Sequence, residues 1–449
     1  MQEATESPAT LPRGPSGLAV TLGSMFVIAA ASVLGMALAF LDKVPCRSGA
    51  WNTYTGQFQH FCYTDIYPLY FGDGLVHGAK PQHPIEYPVL TMWTMRVAAW
   101  LVNNADTYPA GKNFFDITVL FLAVCGVAGV LATARVAGPD RRWTMLLVAL
   151  SPALILGAFI NWDLLAMALG MLGIAAWASR RGVLAGVLLG LAVAAKFYPL
   201  VIFAPLLLLS IRTGQLREFA KTLGAGLAAW LAVNLPLMIV DPSSWGYFYA
   251  FSKSRGADWG SIWHYFEYLN VPLLGSFQLS TLNLLSAGSL AVLLAGIAVL
   301  TLAAPRRPRL AQLCYLVLAA FLITNKVWSP QYVVWLVPLA VLARPRLWPY
   351  WLWQLAEMAY FFAIWGYLLY LYVPGNPSFS GYQGLSPGWY FAALLLRLGT
   401  VALLAAWIIA DILHPERDVV RRHGIDDPAG GIFDNAPDRF VLRKVTSAA

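Results

Sequence analysis

Asp65 stands in the stretch FCYTDIYPLY, residues 61–70, among three tyrosines and a cysteine, just past the first long apolar run of the chain. Further on, single ionisable or amide residues recur beside aromatic ones. They are Glu86 and Tyr87 in HPIEYPVLTMW, Asn161 and Asp163 in NWDLLA, Lys196 in AAKFYPLV, Lys326, Gln331 and Tyr332 in NKVWSPQYVVWLVPL, and Arg255, Trp263 and His264 in FSKSRGADWGSIWHYFEYL. A carboxylate held among tyrosines can take a proton from a hydroxyl, and a nearby cation can carry the charge of a departing phosphate. Asp65 is therefore the candidate general base. Lys196, Lys326, Arg255 and His264 are the candidate phosphate ligands, and Glu86, Tyr87, Asn161, Asp163, Gln331, Tyr332 and Trp263 the candidates for holding an acceptor or sugar. No HxxxH pair accompanies His264, so no metal site is expected.

Each of these residues also has a plainer reading. Asp65 orients its loop through the tyrosines, and Glu86, Asn161 and Asp163 cap helices. The two lysines snorkel to the membrane surface or find an anion within the fold, and the aromatics of residues 251–269 form an interfacial belt.

The elements that must position these residues follow from composition. The 449 residues are 59% hydrophobic and only 12% charged, with a mean hydropathy of +0.62, which excludes an ordinary soluble domain. The net charge of +8 then reads as cytoplasmic loop charge rather than a nucleic-acid surface. Apolar runs of spanning length cover residues 17–41, 113–135, 143–160, 163–178, 219–240, 278–303, 348–372 and 389–413. Residues 183–210 break at AAKFYP and residues 310–342 at NKVWSPQY, each break being read as a turn at a membrane face. The stretch 88–102 carries Arg96 and ends in NNAD, so it is expected to lie on the outer leaflet as an interfacial helix. All arginine clusters then fall on one side.

The expected architecture is an all-α polytopic bundle of about twelve transmembrane helices. It has a cytoplasmic tail over residues 1–16, a membrane domain over 17–413 and a cytoplasmic, largely disordered tail over 414–449. Within the domain lie a first outer loop (42–112) and a second (241–277). Both termini are inside, and the candidate site faces outward from the plasma membrane. Cys46 and Cys62 share the first outer loop, where oxidising conditions favour a disulfide contributing about 2–3 kcal/mol.

An external base with cations suits sugar transfer from a polyprenyl-phosphate donor, with no further cofactor. The chain has no GxxxxGK[ST] loop and no soluble domain for a nucleotide sugar. The motifs CYTDIYPLY, HPIEYPVLTMW, NWDLLA, AAKFYPLV and NKVWSPQYVVWLVPL, in this order, resemble the GT-C membrane glycosyltransferases, most closely glycosyltransferase family 87. The resemblance implies a polyprenyl-phosphate sugar donor, typically mannose, an envelope lipid or glycan acceptor, and an inverting reaction with Asp65 as base. Two alternatives stay open: an arabinofuranosyltransferase with a polyprenyl-phosphate arabinose donor, and a transporter or flippase of lipid-linked sugars. The sequence leaves acceptor and oligomeric state unassigned.

Overall fold

The structure is a computed structural model that describes residues 15–53, 55–78, 84–270, 278–372 and 384–442, with side chains from residue 22. The tail read over residues 1–16 falls outside it apart from Pro15 and Ser16, as do residues 271–277 of the second outer loop. The described residues form helices and loops, with no strand among them.

In chain order the helices are α1 (Pro15–Arg47), α2 (Gly56–Gln59), α3 (Ile66–Gly72), α4 (Val89–Leu101), α5 (Tyr108–Ala137) and α6 (Leu146–Ala149). Next come α7 (Pro152–Gly157), α8 (Asp163–Ala178), α9 (Gly182–Ala195), α10 (Phe203–Thr213), α11 (Leu216–Val240) and α12 (Pro242–Ser254). The last are α13 (Ile262–Tyr268), α14 (Leu279–Ala303), α15 (Leu310–Thr324), α16 (Val333–Ala343), α17 (Leu347–Tyr372) and α18 (Pro387–Leu413). Six of them, α1, α5, α11, α14, α17 and α18, are long and apolar enough to cross a membrane. With the shorter apolar helices they make a polytopic membrane bundle.

The centre is built from the short helices. In α15, Leu313, Cys314, Tyr315, Val317 and Leu318 are all fully buried, and so are Val334, Leu336 and Val337 of α16. The apolar side chains left exposed, such as Phe26, Leu120, Ile239, Val240, Leu284 and Val292, are the surface that faces lipid. Helix α9 meets α11 along a glycine seam. A Cβ on Gly186 or Gly190 would come within 2.1 Å of the carbonyl oxygen of Thr222 or Gly226, so only glycine lets the two backbones touch there.

The run 143–160, read as one span, is broken. Leu150 ends α6, and Ser151 caps α7 by accepting from the Leu154 N–H. Pro152 brings no N–H of its own. Gln354 of α17 answers the break, its Oε1 accepting from the Ser151 hydroxyl and the Ala153 N–H. The lysine breaks do separate paired short helices, at Lys196 after α9 and at Lys326 after α15.

The tail departs furthest from expectation. Residues 418–433 pack against the bundle instead of being disordered, and the mostly exposed residues 435–442 are tied to it by backbone hydrogen bonds to Arg212 and Leu302. Arg309, 1% exposed, forms an ion pair at 2.7 Å with Asp418, 2% exposed. The same guanidinium donates to the carbonyls of Leu342 and Ala343 at the end of α16. Arg307 bonds Asp426 and Asp438, and Arg212 bonds Asp438. Buried guanidinium groups need such partners, and the tail's aspartates supply them.

The loop that follows α1 is pinned by the Cys46–Cys62 disulfide, with a sequence separation of 16. Replacing both cysteines with serine is expected to cost about 2–3 kcal/mol. A lower Tm and faster proteolytic nicking between residues 48 and 61 check it; an unchanged nicking rate would show that packing alone holds the loop.

Candidate active site

Asp65 is placed by its own backbone. Its N–H donates to the Ile160 carbonyl at 2.7 Å, and the Thr64 hydroxyl donates to Phe159 O at 2.8 Å. The segment before α3 is thereby fastened to the turn that precedes α8. The carboxylate accepts from the Tyr63 hydroxyl at 2.6 Å and the Tyr87 hydroxyl at 3.3 Å. Burial pushes its pKa above the usual carboxylate value, while the Tyr63 hydrogen bond, Lys196, the Tyr87 hydrogen bond and Arg255 oppose the rise. The result is a base stronger than a solvated aspartate, held by two phenols.

It faces a cleft of about 510 Å³, also lined by Glu86, Tyr87, Asn161, Lys196, Arg255, Gln331 and Tyr332. Seven of the eleven residues proposed from sequence besides Asp65 and the cysteines are thus on its wall, and with Asp65 they come from six segments of the chain.

Lys196 has its anion within the protein. Its Nζ lies 2.9 Å from Asp163 Oδ1 and stands over the rings of Tyr87 and Tyr332, at 4.9 and 5.4 Å. Asp163 is therefore not on the cleft wall but behind it, holding Lys196. The Asn161 side-chain oxygen accepts from the Asp163 N–H at 3.0 Å, a local turn that leads into α8, whose N-cap is Trp162. Arg255 is the most open cation of the cleft. Its guanidinium donates to Asp258 Oδ1 at 3.2 Å and is 36% exposed.

Besides Asp163, three sequence candidates fall outside the cleft. Lys326 spends its ammonium on the carbonyls of Lys253 and Arg255 and on Asn283 Oδ1, at 3.0, 2.7 and 2.6 Å. It closes the C-terminal end of α12, whose last carbonyls have no helical partner, and leaves no donor aimed at a phosphate. Trp263 is buried and donates its indole N–H to Thr324 O. His264 packs edge-on against Trp259 and against Phe391, with Nδ1 3.5 Å from Glu267. The HYFE spacing thus gives it an acidic neighbour, and burial holds its pKa down against that neighbour's pull. No group of three His, Cys, Asp or Glu among the described residues could hold a metal ion.

The site also contains residues that spacing did not single out. Asp258 lies across the cleft, its pKa raised by burial against the pull of Arg255. Tyr360 and Trp365 of α17 complete the wall, and Trp365 stacks on Tyr63 at 4.6 Å. The clue available was the density of aromatics in AYFFAIWGYLLYLY, which reads equally well as a lipid-facing helix. Behind them, Arg397 of α18 is fully buried. It pairs with Glu357 at 2.9 Å, donates to the carbonyls of Trp328 and Ser329, and lies between the rings of Trp328 and Tyr360 at 4.3 and 4.2 Å.

The sequence profile of glycosyltransferase family 87 matches residues 86–330, more than half of the chain. The chain belongs to glycosyltransferase family 87. It is a membrane glycosyltransferase, as its motifs implied. Within this family 87 chain the match runs from Glu86 through Lys196, Arg255 and Asp258 to Pro330, so Asp65 precedes it and Gln331 and Tyr332 follow it. Compared singly, no curated protein matches the chain.

Proposed function

We propose that this enzyme transfers mannose from a polyprenyl-phosphate donor to a hydroxyl of an envelope lipid or glycan acceptor at the outer face of the plasma membrane, inverting the anomeric carbon. The observation that carries the reading is the cleft's charge arrangement: a carboxylate steadied by two tyrosine hydroxyls, facing one tethered cation, Lys196, and one open cation, Arg255. Asp65 takes the acceptor proton as its oxygen forms a bond to C1 of the donor sugar. The C1–O bond to phosphate breaks on the opposite side, and the leaving phosphate takes the electron pair beside Arg255. Asn161, Gln331 and Tyr332 supply hydrogen-bonding groups for the sugar between them.

The outward orientation, with both termini inside, is supported by the separation of charge along the bundle. Arg212, Arg307, Arg309 and Arg344 gather around the tail and the end of α18. Lys196 ends α9, whose opposite end follows Arg180 and Arg181, and Arg255 ends α12, an arrangement that fits an excess of cytoplasmic arginine.

The test is a donor panel with the reconstituted enzyme, scoring transfer of label from polyprenyl-phosphate mannose and polyprenyl-phosphate arabinofuranose to envelope lipids. Transfer from the mannose donor, giving a product anomer opposite to the donor's, is expected. Transfer from the arabinose donor alone would move the assignment to that sugar, retention would remove Asp65 as a direct base, and no transfer from either would overturn the reading.

A further inference from the structure

A second groove, of about 610 Å³, opens beside the cleft and shares its Phe58, Tyr63 and Tyr372 walls. Its other residues belong to the disulfide-pinned loop after α1, including Trp51, Asn52 and Gln57. We propose that this groove binds a neutral oligosaccharide, the part of the acceptor that lies beyond the sugar carrying the reacting hydroxyl.

The proposal rests on the transfer reading above and extends it to the acceptor's class. The two cavities differ sharply in chemistry. The cleft carries Asp65, Glu86, Lys196, Arg255 and Asp258, whereas no Asp, Glu, Lys, Arg or His is among the described residues that line the groove. Recognition of phosphate therefore belongs to the cleft, and an uncharged ligand suits the groove.

The groove is also not a greasy slot. Its aromatic faces alternate with the carboxamides of Asn52 and Gln57, the combination that suits a ring with C–H faces and hydroxyl edges. A polyprenyl chain would leave both amides unpaired. The platforms are held in place: Trp51 stacks on Tyr67 at 4.1 Å and meets Phe115 edge-on at 5.1 Å. Phe58 stacks on Tyr372 at 5.7 Å and on Tyr63 at 6.0 Å.

Tyr63 joins the two cavities. Its ring walls both, and its hydroxyl is bonded to Asp65. A glycan passing along this ring presents its end to the base. The volume is within the range of about 300–1,000 Å³ typical of ligand sites, leaving room for more than a single ring.

The test separates the groove from the reaction. Binding of octyl mannoside, dimannoside and trimannoside to the full-length enzyme in nanodiscs, with no donor present, is followed by saturation-transfer NMR. Affinity is expected to rise about tenfold or more from one sugar to three, with saturation transfer to the rings remote from the octyl group. Trp51→Ala and Gln57→Ala are each expected to flatten that rise. Gln57→Ala, a change to a side chain at the groove rim, decides the matter if Trp51→Ala fails to fold.

Equal affinity for all three probes, a length dependence untouched by the variants, or displacement of trimannoside by decyl phosphate would each overturn the proposal. Length-dependent binding in an enzyme that fails the donor panel would leave the groove standing and remove the transfer reading alone.

Discussion

Replacing Asp65 with asparagine is expected to lower kcat/KM for sugar transfer by about 10²–10⁴-fold, the usual contribution of a positioned base. The change keeps the shape and can still meet Tyr63 and Tyr87, while removing the charge that accepts the proton. Donor binding, measured with the labelled lipid, should persist because Arg255 and Lys196 remain. The wild-type pH profile carries the same signature. Burial raises the Asp65 pKa, and the base works only when ionised, so activity should fall with decreasing pH at a value above that of a solvated aspartate. Tyr63→Phe removes a hydrogen bond that favours the ionised form, which should move this acid limb higher still. An Asp65→Asn enzyme with wild-type turnover would exclude the residue from the chemistry.

The second large effect is expected far from any substrate atom. Arg397→Ala leaves the Glu357 carboxylate buried without its partner and strips the Trp328 and Ser329 carbonyls of a donor. Breaking such a pair costs about 3–5 kcal/mol. Tm should drop and transfer should be lost, since Ser329 and Tyr360 line the cleft. The double variant Arg397→Met with Glu357→Gln removes both charges and should recover much of the Tm. It should not recover full activity, because the two carbonyls still lack their donor. A single variant with normal Tm and normal transfer would show that the loop at residues 325–332 holds itself.

Much of this architecture can be read from the chain because bilayers impose simple arithmetic. Runs of apolar residues, their length, and the side on which arginines gather gave the helical bundle, and the outer-loop cysteines gave the disulfide. Asp65, Glu86, Tyr87, Asn161, Lys196, Arg255, Gln331 and Tyr332 stood out because polar groups at membrane depth are costly. What spacing does not encode is which partner each group chooses. Lys196 and Lys326 look alike in sequence, yet one meets Asp163 beside the cleft and the other closes α12. The tail misled for a related reason. Its polar residues, without apolar periodicity, resemble a disordered segment, but their partners are arginines elsewhere in the chain. Such pairing is set by tertiary structure and leaves no local periodicity.

That same clasp has a consequence for biogenesis. Arg309 leaves the ribosome well before its partner, since Asp418 follows 109 residues later, and Asp438 follows Arg212 by 226. Synthesis of most helices therefore precedes the pairing of these arginines with the tail's carboxylates. A molecule whose synthesis stops before Asp418 would keep these guanidinium groups bonded to helix-end carbonyls but without the carboxylates that balance their charge.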